Sequence, residues 1–440
     1  MIESDNEFND SPNHGTPYAN VDSDAISLMS ELEENNNQIG HGSFGKVYKS
    51  IYQTKDGNII DVAVKKINIR NSEAFPLSAI REITILKNYH HPNIVKFIDT
   101  FIEKPKQNKR GNVSLVYEYA QHDLGSLIKE NIDFDLNCIK SIMFQLLNGV
   151  KYIHDNFILH RDIKPANILI TNKGEVKLAD FGLSRFYEKR KNRWKAYTNS
   201  VETLWYRAPE LLLSECYYKT SVDMWSVGCV MAELFIKQPI FKEQNIFNQI
   251  KKILSLIGRP SEDELSRYYR INEGGNLELF DKILPEKGEY SDFESTLENL
   301  DKTGLLKKGS LSMDLIKGLL TFNINKRLSA DKALKHEFFQ GINSERAFNV
   351  LNKKFKEDIF KNKEFHGENI IYVKKKDEII INKEKINNNN EHRFCSELPK
   401  RKGHLIKKME GYDIQQDKME IEQPNPNEQM QNWNSLDEFI

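Results

Sequence analysis

The chain has 440 residues, 39% of them hydrophobic, with 63 Lys and Arg against 64 Asp and Glu and a net charge of −1. That length and apolar share suit more than one folded unit with a substantial core, and the balanced charge gives no global field for a nucleic acid or a membrane surface. No apolar run approaches a membrane span, and the opening MIESDNEFND is acidic and lacks the apolar stretch of a signal peptide. Cys138, Cys216, Cys229 and Cys395 show neither metal-ligand spacing nor a disulfide framework, so a soluble protein of a reducing compartment is expected.

Residues 1–33 are rich in Asp, Glu, Asn and Ser with no apolar period, the composition of a disordered leader. Ser11-Pro12 and Thr16-Pro17 within it read either as polar turn formers or as phosphorylation sites. IGHGSFGKVY (39–48) then spaces Gly40, Gly42 and Gly45 as G-x-G-x-x-G. Such a loop can turn a strand into a helix beneath a dinucleotide or fold a hairpin over nucleotide phosphates, and alone it is weak evidence for either. The residues after it discriminate. Val47, Lys49 and Ile51 alternate with Tyr48, Ser50 and Tyr52, KDGN (55–58) is a turn signal, and IIDVAVKKI (59–67) is a second strand. A dinucleotide fingerprint needs a helix directly after the third glycine, so the hairpin reading stands.

AFPLSAIREITILKNY (74–89) reads as a helix with Ile80, Ile83 and Leu86 on one stripe, and strands return in NIVKFIDTFIEK and NVSLVYEY. Beyond Ala120 most of the chain is helical in pattern, including CIKSIMFQLLNGVKYIH (138–154) and SVDMWSVGCVMAELFI (221–236). An α+β chain follows, with a small β-rich unit (34–119) before a larger α-rich one (120–339). Residues 340–440 are rich in Lys, Asn and Glu, with NNNN at 387–390 and EQPNPNEQMQNW near the end, and read as a largely disordered extension with little core. YVKKKDEIIINKEK (372–385) fits a strand or a short helix equally.

Phosphoryl transfer needs positioning and charge neutralisation more than covalent chemistry, and its parts occur here in order. Lys65 in VAVK suits the α- and β-phosphates, and Glu82 on the next helix suits an ion pair with it; each alone would read as an ordinary solvated charge. HRDIKPAN (160–167) is far more specific. Asp162 would take or orient the proton of a substrate hydroxyl, Lys164 would steady the moving phosphate, and Asn167 would hold a metal ion. DFG (180–182) supplies Asp180 as the second Mg²⁺ ligand, and APE closes the segment at 208–210.

With these motifs in this order, the sequence resembles the eukaryotic protein kinases over residues 34–339. The resemblance implies a bilobal fold with ATP and Mg²⁺ in the cleft between the lobes. It places Ile39, Gly40, His41, Gly42, Ser43, Phe44, Gly45, Lys46 and Val47 over the nucleotide, with Ala63 and Leu169 helping Ile39 and Val47 to sandwich adenine. The Glu118 carbonyl and the Ala120 backbone would bond adenine, Tyr117 would stand at the back of the pocket, and Asp123 would lie near the ribose. Thr203 joins the catalytic group, Asp223 braces the HRD backbone, and Glu210 pairs with Arg327.

KPAN after HRD is similar to the Ser/Thr-specific pattern, and FPLSAIRE (75–82) resembles the helix of cyclin-dependent kinases (CMGC group) on which a cyclin presses. The resemblance implies a cyclin-like subunit on the 75–89 helix. It also implies an activating phosphate on Thr198, added by an upstream kinase or by the chain itself, and gathered by Arg81, Arg161 and Arg185. FPLSAIREITIL, HDLGSLI, YIHDNFILHRD and YTN look most like the transcriptional members that phosphorylate the tail of RNA polymerase II. Phe44 agrees, because it lacks the hydroxyl used for inhibitory phosphorylation in cell-cycle members, although Ser43 keeps a neighbouring one. Two departures matter. Glu202 lies with Val201 and Arg207 where a small apolar residue normally walls the pocket for proline after the target residue, which puts proline-directed specificity in doubt. EKRKNRWKA (188–196) is strongly basic, fitting acidic substrates, nuclear import or a solvated loop, and PKRKGHLIKK (399–408) is a second import candidate. The nucleus is therefore favoured over the cytoplasm, with no membrane and no sequence-specific nucleic acid as partner. The alternatives are a cell-cycle-type or cyclin-independent CMGC kinase with altered specificity after the target residue, of which a MAP-kinase-like form is disfavoured because Thr198-Asn199-Ser200 lacks Thr-x-Tyr, and a pseudokinase scaffold, which the complete motif set disfavours.

Overall fold

Strand formers cluster before residue 118 and helix formers after it, and the backbone follows that division. The computed structural model describes residues 38–42, 45–54, 56–69, 76–103, 111–187, 204–213, 219–261, 264–265, 284, 292–361, 363–367 and 369–372. The chain divides into two units, 1–373 and 374–440, and every described residue lies in the first.

Strands β1 (Gln38–Gly42), β2 (Gly45–Gln53), β3 (Ile59–Ile69), β4 (Phe97–Glu103) and β5 (Gly111–Glu118) form an antiparallel sheet in the order β1-β2-β3-β5-β4. Val47 lies opposite Lys65, Lys65 opposite Leu115, and Ala63 opposite Tyr117. Cross-strand partners share a face, so these five side chains line the same side of the sheet. The intervening Val62, Val64 and Val116 form a separate small cluster on the other side, with Tyr52, Ile98 and Phe101 packed against it. Helix α1 (Leu77–Asn88) buries Ala79, Glu82, Ile85 and Leu86. Of the stripe expected through Ile80, Ile83 and Leu86, Leu86 is buried in the core and the half-buried Ile83 packs against it, Ile80 is half-buried, and Glu82 faces inward beside them.

The helical part is built on α2 (Leu124–Lys129), α3 (Leu136–Asp155), α4 (Pro209–Leu212), α5 (Ser221–Ile236) and α6 (Ile246–Ile257), followed by the helices Phe293–Leu300, Leu311–Leu319 and Ala330–Leu334. In α5 every residue from Val222 to Ile236 is buried, as expected of a helix at the centre of a core. Gly228 lets it lie against Leu319 and Leu320, since a Cβ there would come within 2.9 Å of the Leu319 side chain. Asp123 and Asp135 cap α2 and α3 by accepting from the backbone N–H of Ser126 and Cys138 at 2.8 and 2.7 Å.

The expectation of little core beyond residue 339 is corrected. Helix Ser344–Lys354 is capped by Asn343 and packs on α3, burying Ala347 and Leu351. Phe355 extends the same stripe at a spacing of four, and Phe360 and Phe365 complete an aromatic group around His122, with centroids 5.2, 5.3 and 5.5 Å from its ring. The chain then enters a second sheet, β12 (Asn369–Tyr372), β11 (Lys363–His366), β6 (His122–Asp123), β8 (Ile168–Ile170) and β9 (Val176–Leu178), in that order. Residues 1–37 and 373–440, with the leader expected over 1–33 and most of the expected extension, lie outside the described residues. No helix among the described residues is long and apolar enough to cross a membrane.

Leu351→Ala removes a fully buried side chain and is expected to cost about 2–5 kcal/mol in urea unfolding, whereas Asn349→Ala on the exposed side of the same helix should stay within about 0.5 kcal/mol.

Candidate active site

The glycine loop lies between β1 and β2, with Gly40 opposite Val47 and Gly42 opposite Gly45. At Gly45 any Cβ would drive into the Lys66 carbonyl, so β2 can run this close to β3 only without a side chain there. Ile39 is buried, while Val47, Ala63 and Leu169 are half-buried. Lys65, from β3, donates to Glu82 Oε2 at 2.9 Å and to Asp180 Oδ1 at 2.8 Å. Burial favours the neutral amine, but the two carboxylates outweigh it and hold the Lys65 pKa above its ordinary value. Burial also pushes the Glu82 carboxyl up, with Lys65 pulling against it. Asp180 resists its own burial through the Lys65 charge and stays below the carboxylate range.

The HRD segment is shaped by a buried anion. Asp223, from the first turn of α5, accepts from the backbone N–H of His160 at 2.9 Å and of Arg161 at 2.8 Å, and contacts His154 Nε2 at 2.8 Å. These donors hold its pKa down against a burial that works to raise it. They also hold Arg161 at φ +68°, a conformation that a non-glycine residue adopts only when its surroundings enforce it. Asp162 Oδ2 then receives both Lys164 Nζ and Asn167 Nδ2, each at 2.8 Å. Burial lifts the Asp162 pKa and Lys164 opposes the rise. Asn167 Nδ2 also donates to the Asp162 carbonyl at 2.8 Å, which leaves its Oδ1 as the acceptor. Asp180 sits at φ +63°, with Phe181 buried edge-on against His160.

The structure thus gathers Lys65, Glu82, Asp162, Lys164, Asn167 and Asp180, drawn from β3, α1 and the two loops flanking β8 and β9. Among the described residues no group of three or more His, Cys, Asp or Glu could cage a metal. A pair of oxygen donors, Asp180 and Asn167, fits Mg²⁺, which takes one or two protein ligands and fills its octahedron with water and phosphate.

Other expected residues fall as follows. Arg327 grips Glu210 with a fork at 2.7 and 3.0 Å, fully enclosed. Arg185 lies opposite Leu159 in the pairing of β10 (Arg185–Phe186) with β7 (Ile158–Leu159), two residues before Arg161, whose Nε donates to the Leu183 carbonyl at 2.7 Å. Arg81 directly precedes Glu82 on α1. Arg207 lines a small cleft with Arg161, Asp162 and Tyr206. Lys46 is exposed on β2, and for His41 and Gly42 only the backbone is described. Ser43, Phe44, Thr198, Val201, Glu202 and Thr203 lie outside the described residues.

At the hinge the Glu118 side chain accepts from the Lys96 backbone at 2.7 Å and pairs with Lys177 at 3.1 Å, and Tyr119 and Ala120 are buried. Here the sequence reading missed a participant. Residues 363–367 cross the hinge: Glu364 pairs with Lys49 of β2 at 2.9 Å and accepts from Tyr119 Oη at 2.8 Å, while Tyr119 Oη lies 2.9 Å from His366 Nε2. Gly367 N–H donates to Asp123 Oδ2 at 2.8 Å, so the carboxylate expected near the ribose is already engaged by the chain's own extension. KEFHG carries no sequence signal of its own; only the four-residue spacing of Ala347, Leu351 and Phe355 hinted that the chain kept packing.

With this geometry in hand, comparison with known proteins is direct. The protein kinase domain family matches residues 34–339. The chain is 39% identical over 321 residues to cyclin-dependent kinase 9 of Homo sapiens, covering 72% of this chain and 81% of that one. It is 40% identical over 308 residues to cyclin-dependent kinase G-2 of Oryza sativa subsp. indica, 70% of this chain and 41% of the relative. It is 39% identical over 315 residues to cyclin-dependent kinase 12 of Caenorhabditis elegans, 69% of this chain and 40% of the relative. The fold and the site define a bilobal eukaryotic protein kinase domain. The chain belongs to the protein kinase family, among the cyclin-dependent kinases. It spans about two fifths of the length of the rice and nematode relatives.

Docking of 363–367 depends on neutral imidazoles. Burial holds His122 down to about 4 and His366 to about 3, well below the ordinary 6.5. A detached strap would bind protons that the docked one refuses, so docking is full above pH 6.5 and is lost as pH falls from 6.5 towards 4. Amide exchange at Phe365 and Gly367, corrected for intrinsic rate, should therefore rise on acidification to pH 5, while exchange in α5 stays protected; equal behaviour of both segments would contradict this.

Proposed function

We propose that the chain is a Ser/Thr protein kinase that moves the γ-phosphate of ATP to protein hydroxyls, is activated by a cyclin-like subunit on α1, and acts in transcription in the nucleus. The observation that carries the reading is Lys65 bridging Glu82 and Asp180 beside an Asp162 held by Lys164 and Asn167. Phosphoryl transfer is mostly positioning and charge neutralisation, and this arrangement supplies both. Mg²⁺, when held by Asp180 and Asn167, would neutralise the charge on the phosphate oxygens. Lys65 would hold the α- and β-phosphates, with Glu82 keeping its amine charged and aimed. Asp162 would orient the substrate hydroxyl and accept its proton, and Lys164 would meet charge developing on the moving phosphate. The raised pKa of Asp162 moves it towards the range in which a carboxylate serves as a base near neutrality.

The cyclin dependence is supported by FPLSAIRE and by relatives named for it. Phosphorylation of Thr198, gathered by Arg81, Arg161 and Arg185, completes activation in this reading, and targets are Ser or Thr followed by Pro unless Glu202 redirects the pocket. The polymerase tail is the proposed substrate class within transcription.

In protein isolated with its partner, Asp162→Asn should lower kcat by about 10²–10⁴ while the ATP dissociation constant stays within about twofold. Turnover close to that of the wild type would remove Asp162 from its role. In a positional peptide library, selection of Pro after the target residue supports the proline-directed reading; selection of a basic residue there would replace it.

A further inference from the structure

Helix α1 is lightly anchored: among Leu77–Asn88 only Ala79, Glu82, Ile85 and Leu86 are buried, and Glu82 meets Lys65 at 2.9 Å. Tyr117 occupies the same side of the sheet. Its register opposite Ala63 sets it diagonal to Lys65, two residues along β3 and within the reach of a long side chain. The ring is held edge-on by Phe97 at 6.0 Å and is 6% exposed. Its hydroxyl is sealed from solvent and interacts with the Glu82 carboxylate, yet it makes no hydrogen bond of good geometry among the described residues. Burial raises the phenol pKa, and the charge of the nearby Glu82 raises it further, so the enclosed hydroxyl stays protonated beside a carboxylate. Phenylalanine would fill the same space without a polar atom, and a buried polar group left without a well-formed hydrogen bond calls for a use in another state. The arrangement of Lys65 suggests which state. Here it serves Glu82 and Asp180 at once; engaged with nucleotide phosphates, it has less to give Glu82.

We infer that Tyr117 is a positioning residue whose hydroxyl donates to the Glu82 carboxylate and keeps α1 seated while Lys65 engages the nucleotide. The inference rests on the kinase function proposed above. Tyr117 touches no reacting atom in this role; it acts through Glu82.

Tyr117→Phe keeps the ring and its contact with Phe97, so the fold is expected to survive, checked by an unchanged melting curve. In protein isolated with its partner, steady-state kinetics should show kcat reduced about tenfold, the scale of one hydrogen bond to a charged group, with KM for ATP within about twofold. The same substitution placed on Glu82→Gln should add little to the residual loss, because the charged acceptor is gone. A Tyr117→Phe enzyme with wild-type kcat would overturn the inference, as would a change in KM for ATP alone, which would turn the hydroxyl towards the nucleotide. An undiminished effect on the Glu82→Gln background would also overturn it, by showing that the hydroxyl acts elsewhere. Absence of ATP turnover in the wild type would instead overturn the kinase function beneath it.

Discussion

A buried ammonium between two carboxylates organises this molecule. Lys65 lies on β3, Glu82 on α1 and Asp180 in the loop after β9, so three separately folded segments meet at one amine. Charges removed from water are tolerated only when paired and hydrogen-bonded, which makes the cluster demanding of position. If α1 shifts, Glu82 is stranded; if the DFG loop shifts, Asp180 is. The same demand explains why α1 turns a carboxylate inward, at the expense of Ile80 and Ile83, which stay half-buried.

A second buried anion does comparable work in the helical part. Asp223 collects two backbone N–H groups of the HRD segment, and the resulting φ of +68° at Arg161 directs the chain so that Asp162, Lys164 and Asn167 converge. Glu210 and Arg327 form a third enclosed pair, with the guanidinium also stacked 5.1 Å over Trp225. The active site is thus supported from beneath by charges that never meet the substrate. Their burial is repaid by fixed geometry, the form of catalytic advantage that a transfer reaction with little covalent chemistry can use.

Much of this was legible in the sequence because the chemistry constrains residue type and order. The glycine loop, VAVK, HRDIKPAN, DFG and APE named the fold class and nearly every charged member of the cleft, and the period-two alternation of β2 and β3 distinguished a hairpin from a dinucleotide turn. Packing was less legible. In α1 the pairing of Glu82 with Lys65 was legible from the motifs, whereas the apolar period did not show that Ala79 and Ile85 are buried more deeply than Ile80 and Ile83. The segment 343–367 was read as lacking a core because its apolar residues are sparse and its neighbours strongly polar. Its docking depends on His122, Tyr119 and Lys49, more than two hundred residues earlier, and no local pattern carries a contact of that range.

The central claim, that the Lys65 amine holds α1 in place, is tested most directly by hydrogen exchange across α1 in Lys65→Met. Losing the amine leaves Glu82 buried without a counter-charge, so the amides of Ile83, Ile85 and Leu86 should lose protection by about a hundredfold or more while those of α5 keep theirs. Unchanged protection in α1 would mean that apolar packing alone seats the helix and that the ion pair is a consequence of its position.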